Sequence, residues 1–149
     1  MADETMPTID NMLCFAVYAA GHAFTRFYKP RLDALELTYP QYLALLVLWE
    51  RDDITVKALG ERLFLDSGTI TPLLKRLEAR GLVTRKRDAD DERQVRIGLT
   101  EAGQGLKAKA LAVPLAVAKG TGLAMDDISA MRAELLALRE RLDAALAEK

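Results

Sequence analysis

The chain has 149 residues, half of them hydrophobic and 29% charged, with a formal net charge of −1. That length and composition suit one globular domain with a real core and exclude a wholly disordered chain. One cysteine, Cys14, and one histidine, His22, exclude a disulfide scaffold and a Cys/His zinc site. The longest nearly apolar run, Ala110 to Ala118, contains Pro114 and is far shorter than a membrane span. Met1 to Asp10 is acidic and lacks the basic-then-apolar order of a signal peptide, so a cytoplasmic protein is expected. Charge is unevenly spread. From Lys75 to Arg96 eight Lys/Arg stand against five Asp/Glu, a local +3 that leaves −4 for the rest. Such a segment suits local nucleic-acid binding or a merely solvated hairpin.

A helical pattern runs from about Asp10 to Leu35, with Leu13, Val17, Ala20, Phe24 and Phe27 at spacings of three and four. Pro30 is expected to kink or interrupt it. Thr38-Tyr39-Pro40-Gln41 then opens a second helix: Thr38 caps, Gln41 completes a capping box, and Pro40 is tolerated in the first turn. This helix reaches about Trp49, is apolar nearly all round, and is the expected central core helix. Thr55 caps a short helix through Leu63. After the turn Leu65–Thr69 another helix runs to Arg80 and stops at Gly81, with Leu82 as the following hydrophobic contact. Two short helices and a tight turn make a helix-turn-helix. Leu82–Arg87 and Gln94–Leu99 alternate as strands around the charged tip Asp88–Arg93, a β-hairpin.

The expected fold is therefore mainly α with a small β-hairpin wing: a winged helix-turn-helix between N- and C-terminal dimerisation helices. Thr100 caps a fifth helix interrupted near Pro114, and Asp126 is expected to cap the last. There Ile128, Met131, Leu135, Leu138, Leu142 and Ala145 follow a 3-4-3-4-3 spacing, a heptad seam that needs a partner helix. A homodimer built from both ends of the chain meets that need, as does packing within one chain. The expected division is 1–36 for dimerisation and sensing, 37–100 for DNA binding, and 101–149 for dimerisation.

On this scaffold the recognition helix would present Ser67, Gly68, Thr69, Thr71 and Pro72 in a small, polar first half that can approach base edges. Lys75 and Arg76 lie further along, within reach of phosphates or guanine edges. Arg85, Lys86 and Arg87 lie on the hairpin, where at least one should face the DNA backbone. Arg93 at the tip is suited to a minor groove, with Asp91 placed to orient its guanidinium. Each basic residue alone reads as a solvated surface charge, and winged helices that bind protein also exist.

The run Asp66-Ser-Gly-Thr-Ile-Thr-Pro-Leu-Leu-Lys-Arg-Leu-Glu, then Gly81-Leu-Val, then Asp91-Glu-Arg with Leu99-Thr-Glu-Ala-Gly103, resembles the MarR family of dimeric winged-helix regulators. Cys14-Phe-Ala-Val-Tyr18, Phe27-Tyr28-Lys-Pro30, Leu37-Thr-Tyr-Pro-Gln-Tyr-Leu43 and Trp49-Glu50 resemble its organic-hydroperoxide-sensing, OhrR-like branch. The resemblance implies a repressor on a pseudo-palindromic operator, with Cys14 as peroxide sensor and Tyr28 and Tyr39 hydrogen-bonding to it across the dimer. Some relatives carry a second, resolving cysteine, and this chain has none. It thus resembles the one-cysteine kind, in which a small external thiol caps the oxidised sulfur. Neither a metal nor a cofactor is implied.

The residues bear on this independently. Cys14 and Tyr28 are fourteen positions apart on what reads as one helix, about 21 Å at 1.5 Å per residue, so unless the helix breaks sharply a contact has to come from a second subunit. A thiolate attacks peroxide to give sulfenic acid, which a thiol converts to a disulfide; a helix first turn and phenol donors favour the anion. Cys14 also reads as a small core hydrophobe, and Tyr28 and Tyr39 as interface or core aromatics. Two other functions compete. One is a MarR-like regulator released by a small aromatic ligand, with Cys14 structural. The other is a thiol peroxidase, but Cys14 lacks the Pro-x-x-x-Thr-x-x-Cys setting, and His22 has no evident triad partners.

Overall fold

Thr38 starts the helix around which the rest is built. In the computed structural model, which describes residues 6–148, its side chain accepts from the Gln41 amide while the Gln41 side chain accepts from the Thr38 amide. This complete capping box, with Pro40 in the first turn, launches a helix over Tyr39–Glu50 whose Tyr42, Ala44, Leu45, Val47 and Leu48 are buried. Part of the acidic opening Met1–Asp10 lies outside the described residues.

In chain order the helices and strands are α1 (Leu13–Asp33), α2 (Tyr39–Glu50), β1 (Ile54–Thr55), α3 (Val56–Leu63), α4 (Ser67–Ala79), β2 (Val83–Arg87), β3 (Val95–Leu99), α5 (Glu101–Ala110), α6 (Ala112–Thr121) and α7 (Met125–Ala147). A single 3-10 turn, Ile9–Asn11, precedes α1. The caps expected at Thr55 and Thr100 form, and Asp66 caps α4. Thr55 accepts from the Ala58 amide, Asp66 from Thr69, and Thr100 from Gly103. At the end of α4, Gly81 takes a left-handed φ of 71°, its amide bonds to the Glu78 carbonyl, and the Leu82 amide bonds to Leu77. That is a Schellman stop, and it turns the chain directly into the hairpin.

Three features differ from the sequence reading. Pro30 does not interrupt α1, which continues through it to Asp33. It lies in the last turn, so it removes one hydrogen bond with almost no helix beyond it to redirect. Asp126 does not cap α7: the N-cap is Ala124, and Asp126 and Asp127 occupy the first turn, where their charge still favours the helix dipole. A third strand, β1, also joins the sheet, in the order β1-β3-β2, all antiparallel. Two residues are too short to show an alternating pattern. Pro114 acts as expected, since it can offer no amide to the Ala110 carbonyl, the last residue of α5.

Two compact units divide between Leu111 and Ala112. The first holds the winged helix. Tyr42, Leu45 and Leu48 of α2, Leu59 of α3, Ile70, Leu74 and Leu77 of α4, Val83 of β2 and Ile97 of β3 are its largest fully buried side chains among the described residues. Trp49 Nε1 donates to the Gly103 carbonyl at 3.0 Å and ties α2 to α5. In the second unit α6 buries Val113 and Val117, whereas α7 leaves Met125, Met131, Leu135, Leu142 and Leu146 exposed. Among the described residues no single helix is long and apolar enough to cross a membrane.

Gly103 sits where the start of α5 meets the end of α4, and a Cβ there would run into the Leu82 carbonyl. That carbonyl already accepts from the Thr100 amide, so the backbone cannot move away freely. Gly103→Ala is expected to lower stability by about 1–3 kcal/mol, the scale of overpacking, in equilibrium urea unfolding at fixed protein concentration. An unchanged urea midpoint would contradict this.

Candidate nucleic-acid interface and cysteine helix

Asp66 caps α4, and the first half of the helix turns a small polar surface outward. Ser67, Gly68, Thr69 and Pro72 are exposed and Thr71 is half-buried, while Ile70, Leu73, Leu74 and Leu77 fill the core. Pro72 lies inside the helix and offers no amide to the Gly68 carbonyl. Lys75 and Arg76 follow on the exposed face, with no side-chain partner among the described residues.

The three hairpin cations are not equivalent. Val83, Arg85 and Arg87 pair with Leu99, Ile97 and Val95, so Arg85 lies on the sheet face that buries Val83 and Ile97. Its Nε donates to Glu78 Oε1 of α4 at 3.2 Å. Arg87 donates to the Glu92 carbonyl at 3.0 Å. Lys86, on the opposite face, is exposed and unpaired among the described residues. At the tip Arg93 Nε and Nη2 donate to the two oxygens of Asp91 at 3.1 and 3.4 Å. The Arg93 side chain is nonetheless 90% exposed, so it is oriented without being covered. Its hydrogen bonds hold the Asp91 carboxyl below the usual carboxylate range. Thr71, Arg85 and Arg93 also line a hollow of about 300 Å³ together with Lys57 and Gln94, neither of which the sequence reading had singled out.

A second group of residues lies on α1 and the start of α2. Cys14 is the second residue of α1 and is exposed. Tyr18 and His22, one and two turns on, touch with ring centroids 4.3 Å apart and planes tilted by 51°. Tyr28 is near the far end of the same unbroken helix, fourteen residues or about 21 Å from Cys14. Tyr28 and Tyr39 come together, their ring centroids 4.8 Å apart, and with Gly21, Phe24 and Thr25 they line a hollow of about 250 Å³. Cys14 does not line it.

The sequence reading missed Tyr42, whose ring lies 5.9 Å from Tyr28 and 6.3 Å from Tyr39. Its position three residues after Tyr39, on the same helix face, was the available signal. The Tyr42 hydroxyl is buried and has no hydrogen-bond partner among the described residues. Burial, reinforced by Tyr39 and Tyr42, pushes the Tyr28 phenol up to about 12. Burial raises Tyr39 as well, and burial with Tyr39 alongside raises Tyr42. The cluster is a set of neutral hydroxyl donors across the physiological range. Among the described residues no group of His, Cys, Asp and Glu is placed to hold a metal ion.

A winged helix-turn-helix with a small-residue recognition helix and exposed cations on helix and wing defines a DNA-binding regulator, and the comparisons with known proteins agree. Residues 26–110 match the model of the transcriptional regulator SarA/Rot family. The HTH-type transcriptional regulator TtmR of Methylorubrum extorquens (strain PA1) is 56% identical, over 92% of this chain and 70% of that protein. The organic hydroperoxide resistance transcriptional regulator of Bacillus subtilis (strain 168) is 51% identical, over 90% of this chain and 91% of that protein. Reduced AbfR bound to DNA is 39% identical, with a TM-score of 0.75 over 90% of this chain and 94% of that one. The chain belongs to the MarR family of winged-helix transcriptional regulators, on its OhrR-like branch; it is a DNA-binding regulator and not an enzyme.

The tyrosine cluster gives a pH prediction. Because folding raises these phenol pKa values, the cluster contributes stability that is present below pH of about 10 and lost as pH rises toward the folded Tyr28 value of about 12. In an alkaline titration followed by phenolate absorbance, Tyr28→Phe should remove the last tyrosine step. A variant curve that keeps this step would show that Tyr28 is not the most protected phenol.

Proposed function

We propose that the chain is a homodimeric repressor that releases operator DNA when an organic hydroperoxide oxidises Cys14. The observation that carries this reading is the division of one helix. Exposed Cys14 lies at one end of α1 and the neutral Tyr28–Tyr39 pair at the other, too far apart to meet within one chain. A second copy supplies the missing half, with the partner's tyrosines donating to the Cys14 sulfur. The exposed Leu13, Phe15, Val17, Tyr18 and Phe24 of α1, and the exposed Met131, Leu135 and Leu142 of the α7 seam, are apolar surface for the same partner to cover. In this reading residues 1–36 sense and dimerise, 37–100 bind DNA, and 101–149 dimerise, in the cytoplasm. Operator contacts come from Ser67, Gly68, Thr69, Thr71, Pro72, Lys75 and Arg76, and from the wing residues Arg85, Lys86, Arg87 and Arg93 with Asp91.

The chemistry proceeds in three balanced steps. The Cys14 thiolate attacks the terminal peroxide oxygen; an S–O bond forms, the O–O bond breaks, and the alkoxide leaves as the alcohol after taking a proton. A small thiol then condenses with the sulfenic acid, releasing water and leaving a mixed disulfide. A second small thiol returns Cys14 to the thiol and departs as the small disulfide. The bulky adduct at the subunit seam turns the two recognition helices out of register with their half-sites. AbfR supports a role for the adduct's bulk: it has been solved bound to DNA in the overoxidized as well as the reduced form. There, the overoxidized protein is still on DNA.

The test is DNA release from the reduced protein on a palindromic duplex selected from a random pool. One equivalent of cumene hydroperoxide plus a small thiol should release wild type, and excess thiol should restore binding. Cys14→Ser should stay bound throughout. If both proteins stay bound, Cys14 is structural, and release by a small aromatic ligand becomes the reading to pursue.

A further inference from the structure

The side chain of Arg96 joins the root of the wing to its turn, and none of the contacts described above explains its presence. Arg96 is the second residue of β3, opposite Thr55 of β1 and Lys86 of β2. Its Nε donates to Asp53 Oδ1 at 2.9 Å, and its Nη2 donates to the Asp53 carbonyl. On the other side Nη1 lies 3.8 Å from Asp88 Oδ2, a carboxylate that is only 17% exposed. Each end is itself anchored. Asp53 has a left-handed φ of 55°, and its amide bonds to Asp52 Oδ1, which also accepts from the Leu99 amide of β3. Asp88 opens the tip: its amide donates to the Gln94 carbonyl, and its Oδ1 accepts from the Asp90 amide. The next residue, Asp91, carries Arg93.

Asp53 and Asp88 leave the three-residue cluster with Arg96 net negative, which disfavours a phosphate there. Exposed ion pairs also add little to stability. What this one fixes is direction. The charged tip lies beyond the two-residue β1, where only β2 and β3 pair, and two-stranded ribbons twist more than wider sheets. We infer that Arg96 is a positioning residue for DNA binding: by bracing Asp53 at the root against Asp88 at the turn, it aims Arg93 at the groove. This inference rests on the reading that Arg93 contacts DNA.

A double-mutant cycle on DNA affinity tests it, using the full dimer and the selected palindromic duplex. Arg93→Ala should weaken binding about tenfold, the scale of one lost groove contact. Arg96→Gln should weaken wild type about fivefold and leave Arg93→Ala unchanged, because an aim matters only while there is a guanidinium to aim. Asp88→Asn should reproduce Arg96→Gln and add nothing to it. Thermal unfolding of the variants should match wild type, which separates aiming from folding. An equal loss from Arg96→Gln in both backgrounds would overturn the inference, since Arg96 would then act independently of Arg93. So would no loss in either background while Arg93→Ala weakens binding. If Arg93→Ala has no effect, the underlying contact fails and the inference with it; if wild type selects no duplex, the DNA reading itself fails.

Discussion

From Leu13 to Asp33 α1 is a single helix, and a helix is too stiff to bring its two ends together. That constraint sets Cys14 and Tyr28 about 21 Å apart along the helix axis, which is why the proposed joint chemistry calls on two subunits. The same helix exposes apolar side chains over its first turns, where a lone subunit would leave them in water. Sensing and dimerisation are therefore proposed as one event: the surface that must be covered is the surface on which the site is completed.

The tyrosines also lie close to the DNA-reading unit. Tyr39 is the first residue of α2 and Tyr42 faces it one turn on; the remaining turns of α2 pack on α3 and α4. Interiors are dense and transmit displacement as rigid pieces. In the proposed mechanism, a bulky group between Cys14 and the partner's tyrosines would press on α2, which packs against α4. At the other end of that unit the wing is arranged with economy. Glu78 holds Arg85, the Glu92 carbonyl holds Arg87, and Lys86 and Arg93 are left outward.

Much of this was legible in the residues. The Thr38–Gln41 capping box, the Gly81 stop and the alternation on both sides of Asp88–Arg93 each encode a local structure through hydrogen bonding, and each formed as read. The Asp91–Arg93 pair was legible because both partners lie within two residues. What escaped depends on distances along the chain. Glu78 meets Arg85 only once α4 and β2 are packed, and Asp53 meets Arg96 across 43 positions. β1 is too short to carry a period. Pro30 was misread because its effect depends on how much helix follows it, and only one short stretch does. Tyr42 was hidden by looking like any other core aromatic of α2.

The central claim is that Cys14 works with tyrosines of the other subunit, and mixed dimers test it most directly. A heterodimer of Cys14→Ser with Tyr28→Phe contains one site with both Cys14 and Tyr28 if the site forms across subunits, and none if it forms within one chain. The rate of sulfenic acid formation with cumene hydroperoxide, followed with a dione trap, is the measurement. The account predicts that the heterodimer's single cysteine reacts at the wild-type rate, whereas the Tyr28→Phe homodimer is slow. A heterodimer no faster than the Tyr28→Phe homodimer would contradict it.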